Sequence, residues 1–282
     1  MCYVGCGVRA RTTSSIREPT KKNTVRNYHF FLPKFEAQFG ERELNSLTTD
    51  EVWGFLAQQT DGTSQGTKKL RYSLLSSFFN FGKNILDSNL PNPCDTPVHR
   101  KIFGHPEPKQ WTILDKDVVN EMIFRTENPR NRLILELMAR SGMRIGEVLS
   151  LKGEDIQDQR VYLVNPKSGK ESELVFLPQK VAERLKAYII KKEIKPDERI
   201  FPITYSAARV IVRKAGMLVL VGVKVSPHDL RRHAATYASR TGTPIEIVSK
   251  LILRHSNLVT KQCYLGRVSD IEALRWIDNL HG

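Results

Sequence analysis

The chain has few cysteines and no long apolar run. Its four cysteines, Cys2, Cys6, Cys94 and Cys263, are irregularly spaced among 282 residues. Cys2 and Cys6 resemble the start of a zinc site, but no second close pair of ligands follows, so we expect no disulfide framework and no zinc. A reduced, cytosolic protein is the simpler interpretation. No stretch approaches the ~20 apolar residues of a membrane helix, and no signal-peptide core is recognisable, so no membrane association is predicted.

Acidic residues are scarce relative to basic ones. The chain has 44 Lys and Arg against 30 Asp and Glu, a net charge of +14. Such an excess favours a polyanionic partner, most often nucleic acid, over a generically basic protein. No cluster of Asp and Glu indicates a metal pair, so the sequence predicts no metal and no cofactor.

The composition divides the chain into an arm, two domains and a linker. Residues 1–20 are polar and basic and are predicted to be a flexible N-terminal arm. Residues 21–90 are predicted to form a helical domain. Residues 91–110 contain several prolines among basic residues, which predicts a stiff interdomain linker. The second domain is predicted over residues 111–282.

Apolar residues of the first domain recur at helical spacing and predict three helices. Lys68, Lys69 and Arg71 crowd the start of the third helix and are candidate contacts to DNA phosphates. The predicted apolar faces contain Tyr28, Phe31, Leu32 and Phe35, then Trp53, Phe55 and Leu56, then Leu70, Leu74, Leu75, Phe78 and Phe79.

The second domain is predicted to be mostly helical with a small sheet. Helical patterns cover roughly residues 115–125 and 130–141, whereas residues 160–164 and 173–177 are β-rich. The turn-forming segment between the β-rich runs predicts a hairpin with Lys167 and Lys170 near its tip. The predicted fold class is mainly α with a small β-sheet.

Several polar residues are placed unusually for purely structural roles. Arg144 lies at a glycine-broken junction between two apolar helices. His228 and Arg231 are three positions apart, which places them on one face of a helical turn. His255 follows an apolar run, and Tyr264 comes nine residues later. Each feature alone is typical of a helix cap, a solvated face or ordinary packing.

Together, in this order and with a basic hairpin between the first Arg and the first His, these residues resemble the tyrosine recombinase and phage integrase family. That family's pattern is Arg, Lys, His-x-x-Arg, His or Trp, then Tyr. The resemblance covers nearly the whole chain. It implies a helical core-binding domain followed by an α+β tyrosine-recombinase catalytic domain.

The resemblance implies a site-specific DNA recombinase that cleaves and rejoins DNA through a 3′-phosphotyrosyl intermediate, without metal or ATP. It fits the Xer-type, integron-type or transposon-encoded members, which act in DNA integration or recombination. The alternatives are a type IB topoisomerase-like enzyme that relaxes DNA and a DNA-binding regulator with an inactive site.

The resemblance also implies roles for individual residues. Tyr264 is the expected nucleophile, and Arg144 and Arg231 are expected to grip the phosphate, because a guanidinium group matches phosphate oxygens. His255 is expected to add a hydrogen bond to the phosphate, and His228 to be an acid–base partner near the tyrosine hydroxyl.

The resemblance also implies a general acid and a carboxylate that orients the first arginine. Lys167 matches the family's general acid, which protonates the departing 5′ oxygen, and Lys170 is the alternative holder of that role. Glu147 resembles the family's acidic residue after the first Arg, where an orienting ion pair is the favoured interpretation.

The sequence departs from the family pattern in two places. Arg254 replaces the glycine that commonly precedes the second His; it is a candidate DNA contact, and the alternative is a change in helix packing. Arg232 follows Arg231, so the motif arginine is open to either, although the spacing from His228 favours Arg231. Cys263 beside the tyrosine is interpreted as a small apolar filler, with a redox switch as the alternative.

The expected partners follow from the resemblance. They are double-stranded DNA with specific recombination sites, a homotetramer on two DNA duplexes, and accessory proteins. Ile271, Leu274, Ile277 and Leu280 predict a C-terminal amphipathic helix, which either docks on a neighbouring protomer or packs on its own domain. The expected location is the cytoplasm, in association with the nucleoid.

Overall fold

The computed structural model describes residues 22–104, 113–164, 172–220, 222–244 and 247–254. Their contacts divide the chain into two compact units, Met1–Lys109 and Gln110–Gly282. The described helices of the first unit are α1 (Lys22–Phe39), α2 (Thr49–Thr60), α3 (Gln65–Ile85) and α4 (Pro97–Phe103), with a 3₁₀ turn at Leu44–Ser46.

Helices α2 and α3 begin where the sequence supplies a capping side chain. Thr48 Oγ1 accepts a hydrogen bond from the Glu51 amide at 3.3 Å, and the Glu51 carboxylate accepts one from the Thr48 amide at 2.9 Å. Ser64 Oγ accepts from the Thr67 amide at 3.4 Å. These bonds satisfy amides that have no partner within their helix, so the cap residues define the helix starts.

The core of the first unit is built on aromatic rings from three helices. The ring of Phe35 on α1 lies 5.3 Å from that of Phe55 on α2, centroid to centroid. It lies 5.9 and 6.0 Å from the rings of Phe78 and Phe79 on α3. The rings meet edge to face, the arrangement that aromatic quadrupoles favour. The predicted burial of these four residues is confirmed.

Two residues predicted on the apolar faces are instead exposed. Trp53 is 42% exposed and Leu70 is 44% exposed. Residues 53 and 55 are about 200° apart around a helix, so α2 cannot bury both Trp53 and Phe55 against one neighbour. Leu70 lies near the start of α3, before the aromatic segment that enters the core.

Helix α4 lies within the range predicted as a linker. Thr96 caps it and Pro97 occupies its first position, where the missing amide hydrogen of proline costs nothing. Phe103 is buried, and its ring stacks on that of Tyr72 with centroids 6.2 Å apart. Cys94 is also fully buried. Residues 94–103 therefore complete the first core rather than span solvent, which differs from the prediction.

The second unit is helical around one small sheet. Helix α5 (Lys116–Phe124) and helix α6 (Pro129–Ser141) match the predicted helical segments closely. The remaining described elements are α7 (Ile145–Ser150), a 3₁₀ turn (Gly153–Asp155), β1 (Ile156–Gln157), β2 (Arg160–Val164), β3 (Ser172–Phe176), α8 (Gln179–Lys191), α9 (Tyr205–Met217), α10 (Pro227–Arg240) and a π-helical segment (Val248–Leu253).

The three strands form an antiparallel sheet in the order β1, β2, β3. Val161 pairs with Val175 and Leu163 pairs with Glu173. Side chains alternate across a strand, so Val161, Leu163, Glu173 and Val175 all point toward the core, and all four are buried. The predicted fold class, mainly α with a small sheet, is confirmed.

Helix α6 lies at the centre of the second unit. Residues 133–139 are buried on every side of it, as expected for a helix surrounded by others. It packs against α5, α7, α8, α9 and α10. Its C-terminal end and the π-helical segment, which packs against α10 and β3, frame the candidate site. Over the residues that the structure describes, no helix combines the length and apolarity required to cross a membrane.

Candidate active site

Arg144 is positioned by a sharp turn between α6 and α7. Gly142 ends α6 with a left-handed backbone (φ 64°). A Cβ atom there would lie 2.7 Å from Cγ2 of Ile252 and 3.0 Å from its carbonyl oxygen, so only glycine fits. Helix α7 begins only three residues after Gly142, and Arg144 is the residue that directly precedes it. The Arg144 side chain remains 20% exposed and therefore accessible from solvent.

Glu147 orients Arg144. Its Oε2 atom accepts a hydrogen bond from the Arg144 amide at 2.8 Å, and its Oε1 atom accepts one from Arg144 Nη1 at 2.6 Å. Burial by itself raises the pKa of Glu147, but the positive charge of Arg254 and the bonds from Arg144 outweigh burial and hold that pKa below its usual value. Glu147 is therefore a buried carboxylate that fixes the Arg144 guanidinium.

Helix α10 carries the His-x-x-Arg pair. Ser226 and Asp229 form a capping box, with the Ser226 amide donating to Asp229 Oδ2 at 2.8 Å. Pro227 follows at the first helical position, so His228 lies in the first turn, where it is exposed. Arg231 lies one turn later on the same side of the helix and is buried.

The Arg231 guanidinium connects the two segments that frame the site. Nη1 donates to the carbonyl oxygen of Gly142, and Nη2 donates to that of Leu253. Arg231 is therefore bonded to the turn that presents Arg144 and to the end of the π-helical segment. Arg232 donates to Asp229 of its own helix at 2.7 Å. The structure thus connects Arg231 with the turn that presents Arg144.

Arg254 ends the π-helical segment with a left-handed backbone (φ 47°, ψ 47°). Its side chain is only 2% exposed. Nε donates to Glu173 Oε2 at 3.3 Å, and Nη2 donates to Glu147 Oε2. The expectation of a DNA contact at Arg254 differs from this geometry, because its guanidinium lies inside the protein against two carboxylates. The alternative, a change in local packing, agrees with it.

The basic residues predicted to contact DNA from the first unit lie at the start of α3. Lys68, Lys69 and Arg71 are all partly exposed. The Arg71 guanidinium carbon lies 5.9 Å from the ring centroid of Phe30 on α1, and Lys34 Nζ lies 4.5 Å from the same centroid. Phe30 is 57% exposed, so this cluster forms a basic and aromatic surface.

Sequence reasoning missed Phe30, Lys34 and Glu173. A signal existed for Glu173, since an acidic residue at an inward position of an alternating strand requires a buried partner. For Phe30 the signal was its position outside the apolar stripe of α1, which predicts exposure. Lys34 had no distinguishing feature, since basic residues are common on solvated helix faces.

The remaining predicted site residues, Lys167, Lys170, His255 and Tyr264, lie outside the described residues. Chain order nevertheless relates them to described elements. The two lysines fall between β2 and β3, and His255 directly follows Arg254. Arg144, His228 and Arg231 are the predicted catalytic residues that the structure describes.

Comparison with known families identifies the class. Residues 112–270 match the model of the phage integrase family, which is more than half of the chain. The chain therefore belongs to the phage integrase family, the tyrosine recombinases, an enzyme class that cleaves and rejoins DNA.

Individual relatives agree over nearly the whole chain. A tyrosine recombinase of Thermosipho africanus is 31% identical over 268 residues, which covers 89% of this chain and 90% of the relative. Tyrosine recombinase XerA of Pyrococcus furiosus is 30% identical over 263 residues, covering 88% and 84%.

Solved structures share the fold. The Tn1549 transposon integrase in complex with circular intermediate DNA superposes with a TM-score of 0.72 at 16% identity, covering 98% of this chain and 99% of that one. A lambda integrase tetramer bound to a Holliday junction superposes with a TM-score of 0.73 at 17% identity, covering 95% and 79%.

Proposed function

We propose that this chain is a site-specific recombinase that cleaves double-stranded DNA with Tyr264 and rejoins it to a new partner strand. The observation that carries the proposal is the link between two predicted phosphate-binding residues that are far apart in sequence. Arg231 of α10 bonds directly to Gly142, two residues before Arg144. In the proposed complex with DNA, the guanidinium groups of Arg144 and Arg231 would together bind the phosphate, a tetrahedral anion.

The proposed reaction divides one difficult step into two transfers. Tyr264 Oη attacks the phosphorus atom, the bond between phosphorus and the 5′ oxygen breaks, and a 3′-phosphotyrosyl linkage forms. The phenol transfers its proton to His228, and Lys167 supplies the proton that converts the leaving oxygen into a free 5′ hydroxyl. Lys170 is the alternative proton donor. A 5′ hydroxyl of the partner strand reverses these steps, so the phosphate ester energy is conserved without ATP.

The arginines supply the electrostatic part of catalysis. Charge accumulates on the non-bridging oxygens as phosphorus becomes five-coordinate, and preorganised donors stabilise that charge more than they stabilise the ground state. Glu147 fixes the Arg144 guanidinium before DNA arrives, which lowers the entropy lost on reaching the transition state. His255 would add a further hydrogen bond to the phosphate.

The proposed partners are further copies of the chain, a second DNA duplex and accessory proteins. The crystal structure of a lambda integrase tetramer on a Holliday junction supports a homotetramer on two duplexes for this chain as well. The basic and aromatic surface of Phe30, Lys34 and Arg71, with Lys68 and Lys69, would contact the phosphates flanking the cleavage site. We further propose that accessory proteins direct the outcome and that the protein acts at the nucleoid in the cytoplasm.

The decisive test is a covalent adduct that depends on Tyr264. Nicked duplexes made from DNA that flanks the gene would be incubated with the wild-type protein, with Tyr264→Phe and with Tyr205→Phe as the control. Tyr205 is a 51% exposed tyrosine at the start of α9 and has no proposed role. The nick releases the 5′ fragment and traps the adduct, which migrates more slowly on a denaturing gel.

We expect adducts with the wild type and with Tyr205→Phe, on particular duplexes only and unchanged by chelator, and none with Tyr264→Phe. Adducts on any DNA, together with relaxation of supercoiled plasmid, would favour the topoisomerase-like alternative. DNA binding without an adduct on any duplex would contradict the proposed chemistry and favour an inactive regulator.

A further inference from the structure

Arg254 occupies a position that is unfavourable for its side chain in two respects. Its left-handed backbone is one that glycine adopts freely and that a residue with a Cβ adopts at a cost. Its side chain is only 2% exposed, so its guanidinium has also lost its hydration. A charged residue remains in such a place only when its partners compensate, so the partners of Arg254 indicate what it does.

These partners belong to three separate segments. Nη1 donates to the carbonyl oxygen of Ile252 at 3.3 Å, which fixes the turn at the end of the π-helical segment. Nη2 bonds to Glu147 on α7, 107 positions away, and Nε bonds to Glu173 on β3, 81 positions away. One side chain therefore joins the end of the π-helical segment, the helix after Arg144 and the last strand of the hairpin.

The contact with Glu147 bears directly on Arg144. Glu147 Oε2 receives both the Arg144 amide and Arg254 Nη2, while Oε1 receives Arg144 Nη1. Three donors hold the two oxygens, so the carboxylate has one orientation. Without Arg254, two of these three donors would remain, and both belong to Arg144. The Glu147 carboxylate and the Arg144 side chain could then change orientation together.

The contact with Glu173 bears on the hairpin. Glu173 is paired with Leu163 across the sheet, on the strand that follows the segment containing Lys167. Its Oε1 atom is buried and has no hydrogen-bond partner among the residues that the structure describes. The bond from Arg254 to Oε2 is thus the described contact that compensates this carboxylate, and it ties β3 to the turn that leads into His255.

We propose that Arg254 is a positioning residue for DNA cleavage: by bridging Glu147 and Glu173 it holds Arg144, the hairpin and the segment leading to His255 in one arrangement. This rests on the proposed recombinase function. Arg254 does not contact the phosphate. A glycine would suit the backbone better but could not form the bridge, and a lysine, with one compact ammonium group, would not reproduce the planar set of donors.

The test separates positioning from DNA contact and from general stability. Arg254→Gly and Arg254→Lys would be compared with Arg184→Leu. Arg184 on α8 is a matched control, because it also pairs with a buried carboxylate of the second unit, donating to Glu136 at 2.7 Å. The thermal stability of each protein would be measured first. Single-turnover cleavage of the nicked duplex and DNA affinity as a function of salt would then be measured below the lowest melting temperature.

We expect Arg254→Gly to slow cleavage by about 10- to 100-fold, the range typical of small displacements in an active site, while DNA affinity stays within about twofold. Arg254→Lys should fall between Arg254→Gly and wild type. Arg184→Leu should cleave at the wild-type rate.

Three results would overturn the proposal. If Arg254→Gly cleaves as fast as wild type, Arg254 positions nothing. If it weakens DNA binding and lowers the salt dependence of log affinity by about 0.9, Arg254 is a phosphate contact instead. If Arg184→Leu slows cleavage equally, the loss reflects general destabilisation. Absence of any wild-type adduct would instead refute the recombinase function itself.

Discussion

Gly142 is a residue at which a single added methyl group should have two unfavourable effects. It combines a left-handed backbone with a close approach to Ile252, so Gly142→Ala introduces both backbone strain and a clash. Two other glycines of the same unit separate these effects. Gly222 also has positive φ (76°), but no atom lies within 4 Å of the place where its Cβ would be, and Gly146 lies in α7 with neither strain nor clash.

The expected free energies follow from these environments. A left-handed backbone costs a non-glycine residue about 1–2 kcal/mol, which is the effect expected for Gly222→Ala. At Gly142 the added carbon also meets Cγ2 of Ile252 at 2.7 Å and its backbone oxygen at 3.0 Å. Overpacking of this kind costs about 1–3 kcal/mol more, so the total loss is about 2–5 kcal/mol. Gly146→Ala should be neutral or stabilise by up to about 1 kcal/mol, because alanine favours helix.

Urea unfolding and thermal melting of the three variants would measure this order. For a unit of this size each kcal/mol shifts the melting temperature by about 2–4 °C. Gly142→Ala should have the lowest stability, Gly222→Ala an intermediate one and Gly146→Ala the highest. Equal stability of Gly142→Ala and Gly222→Ala would show that Ile252 does not limit the turn. Equal stability of Gly142→Ala and Gly146→Ala would refute the left-handed turn altogether.

Two further predictions concern buried titratable groups. Burial lowers the pKa of His233 from its usual 6.5, although its bond to the Leu114 carbonyl opposes this shift. His233 therefore binds a proton more readily in the unfolded chain than in the folded protein, so the free energy of unfolding should fall as the pH drops below about 6.5. This fall should be smaller in His233→Gln. Urea titrations at several pH values that gave the same pH slope for both proteins would contradict this. Burial, with a contribution from Asp95, raises the pKa of Cys94 to about 12. A variant whose only thiol is Cys94 should therefore react with a thiol reagent at pH 8 only after unfolding. Rapid reaction of the folded variant would show that the core of the first unit is open to solvent.

Helix positions were predictable because the signals that determine them are local. Thr48 and Glu51 are three positions apart, and the capping box that they form involves residues of a single turn. The periodic apolar residues of α3 and α6 likewise predicted which helices exist. Patterns of this kind depend on neighbours within one or two turns, and those neighbours are visible in sequence.

The range from residue 91 to 110 shows where local reasoning was insufficient. Its prolines were interpreted as interrupting any helix, yet Pro97 starts α4, because proline is tolerated in the first turn. Whether such a segment is a linker depends on whether a hydrophobic surface is available to it. The Phe103 ring packs against the ring of Tyr72 on α3, which lies 31 positions earlier in the chain.

The sequence by itself determined the class of protein: the order of Arg144, the hairpin lysines, the His-x-x-Arg pair and Tyr264 is a linear pattern, and helical periodicity predicted the fold class around it. Only the tertiary structure decided what Arg231 and Arg254 bond to. Apart from the Ile252 carbonyl oxygen, the partners described for these two residues lie between 22 and 107 positions away. A guanidinium group looks the same in sequence whether it faces solvent or a buried carboxylate. Packing decides which arginine side chains lose their water, and it does so only when the whole chain folds. A buried guanidinium group is stable only next to acceptors, and the fold determines which segments supply them.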